Sequence, residues 1–168
     1  MPEQQTMTER TKYVETFERE YQITLKLLKL FPAEKIDLKP SPNSSEARQV
    51  LWTLVLGQMV IGAVLESTSI SAEGMPQAPA KLAEIIGAFE SAHRDTLARL
   101  QKFTDAQMNT TLRMPVGPKQ MADVRRGDAL WMFLYDNIHH RGQLTVYQRI
   151  AGGKVPSIYG PSGDEPWN

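Results

Sequence analysis

One stretch limits what this chain can fold into. Residues 128–151 read as a single helix, opened by Asp128 or Gly127 and closed by Gly152-Gly153, as a glycine C-cap would close it. The run WMFLYDNIHHRGQLTVYQRIA is apolar on nearly every side, so other helices must surround it. Yet Asp136, His139, His140, Arg141 and Gln143 sit together in its middle. In a buried helix such groups must be paired, coordinated or functional. Ala129, Met132, Asp136, His140, Gln143, Tyr147 and Ile150 form one stripe at i, i+3 and i+4 steps, polar only at its centre.

Three further helices are predicted around it. From about Thr8, Tyr13, Phe17, Tyr21, Thr24, Leu28 and Phe31 recur at helical spacing, and Pro32 stops the run. Residues up to about Thr6 are expected to fray. Asn43 followed by Glu46 resembles a capping box that opens a second helix, running to about Glu66. Its Gly57 and Gly62 each cost about 1 kcal/mol relative to Ala, which implies that a neighbour approaches closely there. The third helix spans about Ala80 to Lys102, with His93 inside its apolar stripe. TDAQ, at 104–107, reads as a capped helical turn, and TTLRMPVGPKQMADV as a short irregular hairpin. No linker divides the chain, so 1–168 is read as a single domain.

Composition removes several functions. Lys+Arg and Asp+Glu both number 19, so there is no basic excess for nucleic acid or anionic membranes. There is no cysteine, hence no disulfide framework, no cysteine nucleophile and no cysteine metal site. No signal peptide is evident at the N-terminus, and no apolar run approaches the roughly 20 residues of a membrane span. A cytoplasmic location is expected.

Asp136 and His140, four apart, can converge on one point, which is half of a divalent-metal site. The same pair can equally be a buried ion pair with no metal. Outside this helix the one other histidine, His93, is the low-ranking third ligand; a satisfied core histidine is the competing reading. His139 lies about 100° round the helix from His140 and so pairs elsewhere. Arg141 is expected to meet a carboxylate such as Asp128 or Asp164. Trp52, Met59, Trp131 and Tyr135 are taken as outward apolar positions that favour a dimer.

The run IHHRGQLTVYQRIAGGKVPSIYGPSGDEPW resembles the C-terminal signature of the DinB/YfiT-like family, in HHRGQL, in VY with Arg149 two residues on, and in VPSIYGPS followed by DEP. FPAEKIDLKPSPNSSEARQVLW resembles that family's approach to its second helix. The resemblance implies an all-α DinB-like four-helix bundle of up-down-down-up type, frequently a homodimer. The hairpin insert would precede the fourth helix and an ordered tail would follow it. It also implies a divalent metal, nickel or zinc, held by three histidines: one on the second helix and two in an H-x-x-x-H-R-G-Q motif. His140 matches the last of these. Asp136 stands at the position four before it, and Thr53 at the helix-two position, so two of three depart from the pattern. His139, Gln143, Tyr147, Gly57 and Tyr159 would line the cleft.

Two functions stay open. One is a metal-free or weakly metal-binding protein that binds a small molecule or serves as a structural dimer, with Asp136, His139, His140 and Arg141 as a buried polar cluster that fixes helix register. The other is a divalent-metal enzyme of the thiol S-transferase or hydrolase type, with Asp136 and His140 as ligands. DNA binding finds no support in the balanced charge.

Overall fold

The computed structural model describes residues 7–71 and 73–167, so the expected fraying of residues 1–6 lies outside it. Four long helices dominate: α1 (Glu9–Lys29), α2 (Ala47–Glu66), α3 (Leu82–Lys102) and α5 (Arg126–Ile150). A short helix, α4 (Asp105–Met108), and a hairpin of β1 (Thr111–Gly117) and β2 (Gln120–Arg125) lie between α3 and α5. The chain is therefore mostly helical with a small two-stranded sheet.

Local chemistry explains the boundaries. The Thr8 hydroxyl accepts the Thr11 N–H to cap α1. Thr104 and Gln107 form the capping box of α4. The start of α2 differs from the expected Asn43: residues 43–46 stay outside the helix, Glu46 is the N-cap, and its N–H donates to Gln49 Oε1 at 3.4 Å. Ala47 N and Arg48 N donate to Leu38 O and Ile36 O, which holds this entry loop against the preceding segment. Gly152, at φ +80°, takes the left-handed turn that ends α5.

Side-chain contacts between helices set their directions. Tyr13 donates to Leu130 O, Arg141 to Glu20 and Gln148 to Leu30 O, so α1 and α5 run parallel. Thr96 donates to Gln58 O and Arg99 to Gly62 O, so α2 and α3 also run parallel. Arg126 donates to Val64 O while Tyr147 donates to Ser45 O, which makes α5 antiparallel to α2. The two glycines of α2 serve this packing. A Cβ at Gly57 would run into the Asn137 carboxamide, and one at Gly62 would lie 2.8 Å from Thr96 Oγ1.

Two apolar clusters fill the bundle. One gathers Leu27, Leu51, Leu54, Ile85, Phe89 and Leu144; the other Tyr13, Phe17, Ile61, Leu100, Met114 and Leu130. Of the buried polar residues, Glu20, Thr24, Gln58, His93, Asn137 and Arg141 come from the middle turns of the four helices, whereas Arg126 and Gln148 lie near the ends of α5. In the hairpin, Leu112 and Met114 turn inward while Thr111, Arg113 and Pro115 face out.

Several expectations need correction. The buried stripe of α5 is Leu130, Leu134, Asn137, Arg141, Leu144 and Gln148, about one residue away from the stripe read from the sequence. Asp136 and His140 therefore lie toward the edge of the helix, not in its core. Trp52 is not an outward residue: it is 8% exposed and its indole donates to Pro76 O at 2.6 Å. Trp131 is half-buried and donates to Glu9. Finally, α2 is long and apolar enough to cross a membrane, contrary to the sequence reading, but most of it is buried as the inner helix of this bundle.

Candidate functional site

The polar residues of α5 divide into two groups that face opposite ways. On the side toward α2, Asp136 Oδ2 lies 3.4 Å from His140 Nε2. His140 Nδ1 is 3.0 Å from Gln143 Oε1, and Gln143 Nε2 is 3.0 Å from His139 Nε2. Asp136, His140, Gln143 and His139 thus form one chain along the outside of the helix. The Asp136 side chain is 53% exposed and His140 25%, so water screens this pair. Gly57 lies against Asn137 and Ser45 against Tyr147, so the antiparallel register brings Thr53 level with His140. The Thr53 hydroxyl donates to Gln49 O, one turn back on its own helix, at 2.9 Å.

On the other side of α5, toward α1, Arg141 is almost fully buried and so is Glu20. Arg141 Nη1 donates to Glu20 Oε2 at 2.7 Å, and Arg141 Nη2 to the Tyr159 hydroxyl at 2.6 Å. Tyr159 donates in turn to Glu20 Oε2 at 2.6 Å, which closes a ring of three. Burial pushes the Glu20 carboxyl up, but the hydrogen bonds from Tyr159 and Arg141 and the arginine charge outweigh it and hold it below its ordinary value. Burial, reinforced by the bond to Glu20, raises the Tyr159 hydroxyl. The partner of Arg141 is therefore Glu20, not Asp128 or Asp164; Asp128 pairs with Arg125 and Asp164 with Arg149.

This ring ties the tail to the bundle. Asp164 accepts the Val155 N–H, Glu165 accepts the Ser157 N–H and pairs with Lys26, and Gln148 donates to Lys154 O. Tyr159 consequently belongs to the groove between α1 and α5, on the opposite side of α5 from Gly57 and Thr53. Tyr147 packs over the apolar cluster that holds Leu144 and bonds the loop before α2, where it serves the fold. Glu20 escaped the sequence reading because it sits beside the stripe of Phe17, Tyr21 and Thr24. Its one available signal is its place four residues before Thr24 and three after Phe17, on the same helical face.

His93 is buried between α3 and α1. Its ring stacks on Tyr21 at 3.4 Å between centroids, and its Nε2 lies 2.5 Å from Glu18 Oε1. Burial pulls its proton affinity below the ordinary histidine value, and the Glu18 charge offsets only part of that. It faces α1, whereas Asp136 and His140 lie on the α2 side of α5.

The metal that the resemblance implies would need three convergent donors. Here both ring nitrogens of His140 face protein groups, Thr53 offers only a neutral hydroxyl that donates to Gln49 O, and His93 is engaged with Glu18. Among the described residues no three His, Asp or Glu side chains come together to hold an ion. The donor set does not fit the expected tripod.

Further along the same α2–α5 face lies a cavity of about 340 Å³. Val60 and Ala63 of α2, Met132 and Phe133 of α5, Met114 and Pro115 of β1 and the loop after α2 line it, and it opens to the surface. The face thus has a polar end at Asp136 and His140 and an apolar end around Phe133.

Residues 16–144 match the family model described as the DinB superfamily. The chain belongs to the DinB superfamily. The matched span includes Thr53, Asp136 and His140 and stops before the tail. The chain is also similar to the protein described as uncharacterized protein YrdA of Bacillus subtilis (strain 168), at 28% identity over 161 residues, covering 91% of this chain and 89% of YrdA. Two solved structures share the fold. A DinB-like protein of Bacillus cereus ATCC 10987 superposes with a TM-score of 0.71 at 21% identity, over 88% of this chain and 95% of that one. A DinB-like protein of Bacillus subtilis gives 0.69 at 19% identity, over 85% and 94%.

Proposed function

We propose that this protein is a metal-free, small-molecule-binding member of the DinB superfamily, built as an up-down-down-up bundle. One observation carries the reading: both nitrogens of His140, the surviving tripod histidine, are directed at Asp136 and Gln143. A metal would have to displace one of these and find two more ligands, where a catalytic zinc usually takes three from the protein. The parallel and antiparallel contacts described above support the bundle type. The Arg141 ring gives the signature motif a structural role, since it fastens the tail. The function is then exerted in the α2–α5 groove, in the cytoplasm, by a homodimer. Exposed Tyr135, Met132, Val146 and Ile150 on α5, with Met59 on α2, favour self-association, and light scattering at micromolar concentration would show about twice the chain mass.

The second reading, a divalent-metal enzyme of the thiol S-transferase or hydrolase type, is favoured by the Asp136–His140 contact, half of such a site. Elemental analysis of tag-free protein, purified without chelator, separates the two. The metal-free reading expects substoichiometric nickel, zinc and manganese. One ion per chain, lost in His140→Ala, would replace it with the enzyme reading.

A further inference from the structure

The apolar cavity beside the polar chain has a lining of one character. Val60, Ala63, Met114, Pro115, Met132 and Phe133 supply its walls, Met75 stands beside them, and among the described residues no charged side chain takes part. Ser67, Ser69 and Ser71 line the side formed by the loop after α2. That loop is pinned to the sheet. Arg113 N donates to Thr68 O at 2.9 Å and Ile70 N to Arg113 O at 3.0 Å, so Ser69 forms a single parallel β-bridge with Arg113 of β1. A wall fixed in this way needs little ordering when a ligand arrives. At about 340 Å³ the cavity is near the low end of small-molecule sites, too small for a peptide helix. Met114 is buried, whereas Met75 and Met132 are partly exposed. Thioether side chains adapt to ligand shape and contact apolar and aromatic surfaces well.

We propose that this cavity binds a small, uncharged, largely apolar molecule that carries a single hydrogen-bonding end. The apolar body lies among Met114, Met132 and Phe133, and the polar end meets the serine hydroxyls. A charged ligand is disfavoured, because nothing in the lining repays its desolvation. The inference rests on the small-molecule-binding reading above and gives that reading its ligand class.

The test uses the full chain with methyl-labelled methionine and the neutral probe N-phenyl-1-naphthylamine. Saturable binding is expected to shift the methyl signals of Met75, Met114 and Met132 and leave Met108 and Met121 in place. Ala63→Trp, which fills the cavity, should weaken the probe by at least about tenfold, while Ala83→Trp on the exposed face of α3 should not. Non-saturable binding, shifts confined to other methionines, or undiminished binding by a folded Ala63→Trp chain would overturn the proposal. If that variant does not fold, the wild-type methyl shifts decide alone. Metal titration reads different groups from the probe, so either idea can fail without the other.

Discussion

Arg141 offers the sharpest perturbation of the fold. It is 2% exposed, and its guanidinium reaches Glu20, Thr24 and Tyr159 together. Truncation to alanine would leave the Glu20 carboxylate buried with one arginine fewer. Removing one partner of a buried pair costs about 3–5 kcal/mol. Arg19 and Tyr159 still donate to Glu20, so the low end, about 3 kcal/mol, applies here. For a chain of this size each kcal/mol shifts the melting temperature by about 2–4 °C, so Arg141→Ala should melt about 6–12 °C lower. Circular dichroism melts measure this, and limited proteolysis should show residues 155–167 cut sooner. Glu20→Leu with Arg141→Met removes both charges together and should recover much of the loss. An Arg141→Ala chain that melts within about 2 °C of wild type would refute the argument that this ring fastens the tail.

Two other outcomes follow from the same geometry. Asp136→Asn alters an exposed i, i+4 pair and should change stability by less than about 0.5 kcal/mol in urea unfolding, where a buried pair would lose several. Acid should weaken the fold in two windows. The folded-state affinity of His93 lies below its ordinary value of 6.5, so the unfolded chain takes up the proton first and stability falls as pH drops below that value. Glu20 is depressed below 4.5, so its contribution is present above that value and lost as pH falls through the lower folded-state one. Urea midpoints measured across pH should lose the upper window in His93→Gln and keep the lower.

Much of the fold was legible from residue pattern. Helical periodicity with Pro32 and Gly152 as stops located the long helices, and TDAQ and Gly117-Pro118 located the short helix and the hairpin. Gly57 and Gly62 correctly signalled close packing. The side chains at the site were harder to read, for a physical reason. Helix α5 is apolar on so many sides that its pattern defines no sharp inward face, and a shift of one residue, about 100°, exchanges Arg141 for His140 as the buried group. Charge pairing across 121 positions, Arg141 with Glu20, leaves no local trace in a single sequence. The α2 start was misplaced because Asn43 and Glu46 have capping-box spacing, yet the chain is held by Ile36 and Leu38 until Ala47.

In the metal-free reading proposed above, Thr53 and Asp136 stand where the resemblance implies histidines, and His140 is engaged by Asp136 and Gln143. Calorimetric titration of nickel and zinc into wild-type protein and into the Thr53→His, Asp136→His double variant tests it most directly. No saturable binding is expected of the wild type, and about one ion per chain of the double variant. A wild-type chain that binds one ion as tightly as the double variant, and loses it in His140→Ala, would contradict it.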